Sequence, residues 1–248
     1  MDFIGPVKYR VEIIYSDDDM IVINKPSGLR SIPDRYDLKL VNLKELIEKQ
    51  FGKTFVVHRL DVETSGLICY AFKTESHKEL NQQFENRKID KRYLAFIKGK
   101  PEAESGEINA PLKLTNSGKV VVSKDGKESV TKYKVIEQFK GVCLVEAVIL
   151  TGRTHQIRVH FNHMGNPLLV DQLYAGYREV LLSQFKLNYR KKLDKAESPL
   201  VKRLTLHASN LTVSHPQSKE KLSFEAPLPK DLSYLLKQLR KYAIYNEQ

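Results

Sequence analysis

HRLDVETSGLICYAF, residues 58–72, is the densest run of reactive side chains in the sequence. Its first part combines cations, carboxylates, two hydroxyls and a glycine, which is more polar chemistry than a packed core segment needs. Residues 54–57 and 67–72 are apolar enough to form buried strands, and Thr64-Ser65-Gly66 is typical of a turn. Asp61 is therefore predicted where a strand gives way to a loop. A carboxylate held there is partly desolvated, so either its pKa rises or it needs a cationic partner.

Two further runs place polar side chains at the ends of predicted strands. The run TGRTHQIRVH at 151–160 follows an apolar segment and then takes helical spacing, so Arg153 is predicted at a strand-to-helix junction. The run KRYLAFIKG at 91–99 places the hydroxyl of Tyr93 at the start of another strand. Arg153 is the candidate cationic partner of Asp61.

These three runs, in this order, resemble the RluA type of RNA pseudouridine synthases. The resemblance extends from VINKPSGL at 22–29 to LHASNL at 206–211 and APLP at 226–229, so it covers most of the chain. Several separated motifs in one order are more specific than any single motif. The resemblance implies isomerisation of a uridine inside an RNA chain, in which the glycosidic bond moves from N1 to C5 of the base.

The resemblance also implies roles for individual residues. Asp61 corresponds to the catalytic carboxylate, Tyr93 to the residue that packs against the target base, and Arg153 to the partner of the aspartate. Arg59 is associated with the space that the extruded base vacates. The carboxylate either attacks the sugar or base covalently or removes a sugar proton to give a glycal, and both routes remain open. An isomerisation needs no cofactor, and none is predicted.

The remaining predicted RNA contacts are basic or polar residues in loops. The segment 177–203 is rich in lysine and arginine and is predicted as a basic insertion that contacts RNA, the alternative being a solvated, partly helical surface. The loop 31–36 is predicted to reach phosphate through its arginine, the alternative being an ordered surface loop. The predicted RNA-binding residues are Arg59, Arg35, Thr154, His155, Gln156, Arg158, Arg190, Lys191 and Lys192.

A metal site is not predicted. The spacing of His155, His160 and His163 matches no familiar zinc-binding helix, and no cysteine pair lies nearby. The two cysteines, Cys69 and Cys143, lie in apolar runs typical of strands and are predicted to be small core residues.

The composition agrees with a nucleic-acid partner. The 248 residues carry 41 Lys and Arg against 30 Asp and Glu, a formal net charge of +11, so the chain should associate with polyanions. No apolar stretch approaches the roughly 20 residues that span a bilayer, and no signal sequence is evident. We predict a cytoplasmic protein that does not bind membranes and is a monomer without an obligate protein partner.

Helical and strand patterns alternate without an internal repeat, which favours an α+β fold with a mainly antiparallel or mixed central sheet flanked by helices. A single catalytic domain is predicted over 1–248, with its core at about 11–240. Many family members carry a small RNA-binding domain before the catalytic one, and none is predicted here because the run containing Lys25 comes early.

Local signals predict three helix starts. Asn42 with Glu45, and Ser76 with Glu79, have the spacing of a capping box. A last helix is predicted near Asp231, with leucines on its apolar stripe.

Two other classes of function remain open. A catalytically silent RNA-binding protein would share the basic surface without needing Asp61. A nucleoside or glycoside hydrolase could use Asp61 with Glu63 as its second carboxylate and would release free base. Ribosomal RNA and transfer RNA are both open as substrates.

Overall fold

The computed structural model describes residues 3–6, 10–190 and 195–244. Its described residues form two compact units. The first comprises the described chain up to Tyr93 together with His207–Pro227, and the second comprises Leu94–Leu206 and the described chain from Leu228 onward. The prediction of a single catalytic domain stays a prediction.

Strands outnumber helices in the described parts of the chain. In chain order the elements are β1 (Phe3–Ile4), β2 (Val11–Ser16), β3 (Met20–Lys25), α1 (Leu43–Phe51), β4 (Phe55–Val56), β5 (Ser65–Ala71), α2 (Thr74–Glu85), β6 (Asp90–Lys98), β7 (Ser105–Asn109), β8 (Leu112–Leu114), β9 (Val120–Val122), β10 (Val130–Phe139), β11 (Val142–Ile149), α3 (Gln156–His163), β12 (Leu206–Ser214), β13 (Lys221–Glu225) and α4 (Lys230–Tyr242).

The first unit is built around β5, whose seven residues are all buried. Strands β1, β2, β3, β5 and β12 lie in that order, with β4 also beside β5 and β13 beside β12. β3 runs antiparallel to β5, whereas β5 and β12 pair in parallel, with His207 opposite Ser65 and Ala208 opposite Gly66. Apolar side chains from β3, β5 and β12, among them Val22, Leu67 and Leu211, pack against Leu80 of α2. The sheet is therefore mixed and mostly antiparallel, which confirms the predicted α+β class.

The second unit contains the strands β11, β10 and β7 in that order and a separate β8–β9 hairpin. β10 pairs antiparallel with both of its neighbours. The core of the second unit includes Val142 and Leu144 of β11 and Leu232, Leu235 and Leu239 of α4. The predicted last helix and its leucine stripe are therefore confirmed.

The start of α1 follows a local sequence signal, whereas the start of α2 does not. The side chain of Asn42 accepts a hydrogen bond from the backbone N–H of Glu45 at 3.0 Å, which confirms the predicted start of α1. The predicted start of α2 at Ser76 is wrong, because the helix begins at Thr74. The Ser76 hydroxyl instead donates to Asp19 at 2.6 Å, a contact that lies 57 residues away in sequence.

Two buried residues near the ends of the basic segment pair with each other within the second unit. Val180 and Val201 are both buried, and their backbones pair through hydrogen bonds such as Val180 N to Val201 O at 2.9 Å. A short 3-10 turn, Leu182–Gln184, follows the first of these residues. Lys191 and Lys192 lie outside the described residues. None of the helices in the described ranges is long and apolar enough to cross a membrane.

Gly66 permits the close approach of β5 and β12. Its φ angle is +111°, and a Cβ atom at this position would lie 2.2 Å from the carbonyl oxygen of Ala208. Backbone atoms cannot move away from such an overlap without separating the two strands. Only glycine therefore fits at this second position of β5, where the strand lies against Ala208.

Gly66→Ala should lower the free energy of unfolding by about 4 kcal/mol or more, because the overlap with Ala208 adds to the backbone strain. Gly118→Ala is the matched control, since Gly118 has a φ angle of +79° with open space around it and should cost only about 1–2 kcal/mol. Urea denaturation of both variants measures the difference. Equal losses for the two variants would show that the overlap has no effect.

Candidate active site

Asp61 lies in a turn whose backbone is held by hydrogen bonds. The N–H of Thr64 donates to the Asp61 carbonyl at 3.1 Å and closes the turn. The hydroxyl of Ser27, in the segment after β3, donates to the carbonyl of Glu63 at 2.7 Å. Asp61 therefore lies in the turn between β4, which ends at Val56, and β5, which begins at Ser65, and not directly at the end of a strand as predicted.

Lys25 is the cation beneath this turn. Its side chain is 0% exposed, and its ammonium donates to the carbonyls of Pro26 at 3.0 Å, Leu29 at 2.8 Å and Val62 at 3.1 Å. Val62 directly follows Asp61, and its carbonyl also accepts from the Gly28 N–H at 2.8 Å. Charge-assisted hydrogen bonds of this kind are the stronger ones in proteins. Lys25 thus fixes the backbone that carries Asp61, a role that the sequence analysis did not assign.

The chain that precedes Asp61 is held from a second direction. The hydroxyl of Ser31 donates to the carbonyl of Leu60 at 2.9 Å, and the N–H of Leu60 is 3.2 Å from the same hydroxyl oxygen. The phenol of Tyr70 in β5 donates to the Ser31 carbonyl at 2.8 Å. Leu60 is buried, whereas Arg59 is exposed. Arg59 is therefore available at the surface beside a fixed Asp61.

Tyr93 is electrostatically coupled to Asp61. Its side chain is 7% exposed, and burial together with the negative charge of Asp61 raises the pKa of the phenol above its ordinary value. Tyr93 therefore stays protonated at neutral pH and can act as a stacking surface or as a hydrogen-bond donor.

Lys91 lies two residues before Tyr93 on β6, so both side chains leave the same face of the strand. Its ammonium is 5.2 Å from the ring centre of Phe84, and the ring of His58 stacks on Phe84 at a centre-to-centre distance of 4.7 Å. Nε2 of His58 accepts the Cys69 N–H at 3.0 Å. Burial lowers the pKa of His58 to about 3 and that of Lys91 to about 8.

Arg153 lies in the second unit, after β11 and before α3. Its side chain donates through Nε to the carbonyl of Glu128 at 3.1 Å, and its backbone N–H donates to Oε1 of Gln156 at 3.0 Å. The Thr151 hydroxyl donates to the same oxygen at 2.8 Å. Arg153 itself is exposed. The predicted strand-to-helix junction is therefore present, with the Gln156 amide at its centre.

Two residues predicted to bind RNA are buried within the second unit. Gln156 is 3% exposed, and its Nε2 donates to the carbonyl of Val130 at 2.9 Å. Arg158 is 6% exposed and forms a two-pronged ion pair with Asp171, with N–O distances of 2.8 and 2.9 Å. These contacts use the polar atoms of both side chains, so their geometry favours positioning of Arg153 and α3 over direct contact with RNA.

Two of the histidines near α3, His155 and His160, have internal partners. His155 has a left-handed backbone with φ +54°, and its Nδ1 lies 2.7 Å from the Tyr174 hydroxyl. His160 contacts Ala110 through Nε2 at 3.0 Å and a hydroxyl through Nδ1 at 2.9 Å. Both ring nitrogens of His160 are thus hydrogen-bonded. Thr154, which was predicted to bind RNA, is exposed.

The predicted site residues divide between the two units. Asp61, Arg59, Tyr93 and Arg35 lie in the first, and Arg35 is exposed on the loop that follows Ser31. The second unit contains Arg153, Thr154, His155, Gln156, Arg158 and Arg190, the last of them also exposed. The pairing of Asp61 with Arg153 stays a prediction.

One cluster among the described residues has the side-chain types of a metal site, namely Asp17, Asp19 and His215. Nε2 of His215 lies 2.7 Å from a carboxylate oxygen of Asp17, and its Nδ1 accepts the N–H of Ser218 at 3.1 Å. The other oxygen of Asp17 accepts two backbone N–H groups, including that of Asp19 at 2.8 Å. Hydrogen bonds thus already occupy these ligand atoms, and we interpret the cluster as structural.

Lys25→Met should lower the free energy of unfolding by about 3 kcal/mol or more, because it leaves buried carbonyls without their donor. Activity should fall together with stability, since the Val62 carbonyl is one of those partners. Lys53→Met, at an exposed position of the same unit, is the control and should change stability little. Urea denaturation tests this, and a Lys25→Met protein as stable as the control would contradict it.

Lys91 should make stability depend on pH. Its pKa is about 8 in the folded chain against 10.5 ordinarily, so between these values the unfolded chain binds a proton that the folded chain has released. The contribution of Lys91 to stability therefore rises with pH across this window. The difference in unfolding free energy, wild type minus Lys91→Met, should increase by about 2 kcal/mol from pH 7 to pH 10. Lys88→Met, an exposed control, should show no such trend.

Comparison with known proteins gives a consistent result. The family described as RNA pseudouridylate synthase matches residues 19–163. Ribosomal large subunit pseudouridine synthase C of Vibrio cholerae is 34% identical over 232 residues, which are 92% of this chain and 69% of that protein. Dual-specificity RNA pseudouridine synthase RluA of Pasteurella multocida is 33% identical over 231 residues, covering 92% of this chain and 97% of that protein.

Comparison with solved structures indicates the same family. The solved structure of Human RNA Pseudouridylate Synthase Domain Containing 4 is 25% identical, with a TM-score of 0.68 and 92% of each chain covered. The match of the family runs through both the Asp61 turn and the Arg153 junction. The chain therefore belongs to the RNA pseudouridylate synthase family, and it is an isomerase that converts uridine to pseudouridine in RNA.

Proposed function

We propose that Asp61 is the catalytic carboxylate of this isomerase. The observation that carries the proposal is the fixed backbone around it, with hydrogen bonds at residues 60–63. Such a backbone holds the carboxylate in one place before substrate arrives, so little reorganisation is needed at the moment of reaction.

The isomerisation conserves all atoms of the uridine. The bond between N1 of the base and C1′ of the sugar breaks, the uracil turns, and a bond forms between C5 and C1′. The proton on C5 then leaves, and N1 gains one. Asp61 assists bond cleavage by attacking covalently or by removing a sugar proton, and the fixed carboxylate is suitable for either route.

Tyr93 is proposed to pack against the uracil while it is detached. A buried phenol that stays protonated offers a flat apolar face and adds no second negative charge beside Asp61. Detached uracil carries developing negative charge, so a neutral neighbour is preferable to a phenolate. Burial of Tyr93 also excludes water that would otherwise compete for the sugar carbon.

Arg153 is proposed to pair with Asp61 and keep it ionised. Its exposed guanidinium projects from a junction whose backbone is held by the buried Gln156 amide. A guanidinium binds a carboxylate through two parallel hydrogen bonds, which fixes orientation as well as charge. Arg59 is proposed to occupy the space in the RNA that the flipped uridine leaves.

The proposed substrate is a uridine in structured ribosomal or transfer RNA. The names of the relatives from Vibrio cholerae and Pasteurella multocida refer to the large ribosomal subunit and to dual specificity, respectively. The net charge of +11 supports phosphate binding by the exposed Arg35 and Arg190 and by Lys191 and Lys192. We further propose that the protein acts in the cytoplasm as a monomer without a cofactor.

Asp61→Asn should reduce pseudouridine formation by about 1,000-fold or more, because the amide keeps the shape but lacks the charge. RNA affinity should stay within about threefold, since phosphate contacts supply most of it. Site-resolved pseudouridine mapping of total RNA from cells with the gene, without it, and with Asp61→Asn restored measures the first effect. Filter binding of purified protein measures the second.

Asp125→Asn is the control, because the Asp125 side chain is 80% exposed in a turn of the second unit. It should restore every pseudouridine that the wild-type gene restores. Full modification by Asp61→Asn would contradict the assignment of the carboxylate. Free uracil released by the wild-type protein would instead support the hydrolase alternative, in which Glu63 acts with Asp61.

A further inference from the structure

The loop that follows Ser31 is held in one conformation by its own side chains. The carboxylate of Asp34 accepts the backbone N–H groups of Tyr36 at 3.0 Å and Asp37 at 3.2 Å, and it also accepts Nε of Arg30 at 3.0 Å. These contacts lower the pKa of Asp34, so the carboxylate stays ionised and keeps its partners. The loop is therefore ordered without packing against a core.

The ends of this loop lie together. The N–H of Leu43, the first residue of α1, donates to the carbonyl of Arg30 at 2.8 Å. Compact surface loops with paired ends frequently carry function. Between the paired ends, residues 35–41 are exposed, whereas Ser31 and Asn42 at the base are buried.

Tyr36 is the most exposed large hydrophobic residue among those described, at 91%. Its neighbours Arg35 and Lys39 are exposed cations. Burial cannot explain an aromatic ring in this position, and the ring contributes almost no packing to the fold. An aromatic ring between cations is the combination that binds single-stranded nucleic acid, through base stacking and phosphate contact.

The loop is connected directly to the chain that carries Asp61. Ser31, where the loop begins, exchanges two hydrogen bonds with Leu60. Tyr36 is five residues further on, so its backbone lies at most about 18 Å from Ser31. In a stacked nucleic-acid strand this is the length of about five nucleotides, at about 3.4 Å each. A strand that is bound at Asp61 and extends toward this loop would reach Tyr36 after roughly five nucleotides.

We propose that Tyr36 stacks on a base of the substrate strand near the target uridine, with Arg35 on an adjacent phosphate. Extrusion of the target uridine removes a stacking partner from its neighbours, and an exposed ring on a fixed loop can replace it. The inference rests on the proposed function for the identity of the ligand as RNA. Tyr36 is in this view a binding residue that determines which unpaired RNA segments are accepted, and it takes no part in the chemistry.

The test measures binding of a fluorescein-labelled RNA hairpin whose loop contains only uridines. Tyr36→Ala should weaken binding about tenfold, because one stacked base is lost, while Tyr36→Phe should bind within about twofold of wild type. Tyr36→Leu, which is apolar but lacks a π face, should resemble Tyr36→Ala. Tyr234→Ala removes a tyrosine that is 52% exposed on α4 and should leave binding unchanged.

A second measurement separates stacking from charge. The slope of log affinity against log salt should be the same for Tyr36→Ala and wild type, whereas Arg35→Ser should reduce it by about one. Thermal unfolding of Tyr36→Ala should match wild type, since the ring is exposed. Wild-type affinity in Tyr36→Ala, or wild-type affinity in Tyr36→Leu, would overturn the proposal, the first result indicating that the loop serves a different partner.

Failure of the proposed function would look different. Pseudouridine formation by the wild-type protein is measured separately on total RNA. Absent formation alongside weakened hairpin binding in Tyr36→Ala would refute the enzymatic assignment and support the stacking contact. Normal pseudouridine formation by the wild-type protein, alongside unchanged hairpin binding in Tyr36→Ala, would support the enzymatic assignment and refute the stacking contact.

Discussion

The buried ammonium of Lys25 is the contact on which the candidate site depends. Several carbonyl oxygens that point at one another repel unless a cation lies among them, and a fully buried lysine is costly unless its protons are shared. In this protein the ammonium of Lys25 donates to the carbonyls of Pro26, Leu29 and Val62. The cation therefore has hydrogen-bond partners, and the carbonyl oxygens have a cation between them. Val62 follows Asp61, so the same interaction that makes the burial of Lys25 tolerable also fixes the backbone beside Asp61, the proposed catalytic carboxylate.

Burial shifts the pKa values of several side chains in the same unit. Burial keeps His58 unprotonated, so its Nε2 can accept the Cys69 N–H, and it keeps Tyr93 protonated. Burial also lowers the pKa of Lys91, to about 8. Tyr93, the residue coupled to Asp61, therefore adds no second negative charge beside the carboxylate.

Features that depend on neighbouring residues could be predicted from the sequence, and features that depend on distant ones could not. The cap of α1 joins Asn42 to a residue three positions away, and it is present as predicted. The hydroxyl of Ser76 follows the capping pattern equally well, yet a distant aspartate takes it. Arg158 has the sequence character of an RNA contact, but Asp171 binds it inside the second unit. The role of Lys25 depends on Val62, which lies 37 residues away.

The turn that carries Asp61 is fixed by hydrogen bonds, whereas the loop from Arg35 to Val41 is exposed. This difference allows the RNA target of such an enzyme to change separately from its chemistry. Ser31 is hydrogen-bonded to Leu60, and the residues beyond it, from Arg35 to Val41, are exposed. Substitutions in that exposed stretch alter what the RNA touches without disturbing the hydrogen bonds that position Asp61, because the loop keeps its shape through Asp34. Substrate choice can thus vary at the surface while the chemistry stays constant, since the two depend on different sets of hydrogen bonds that meet at Ser31.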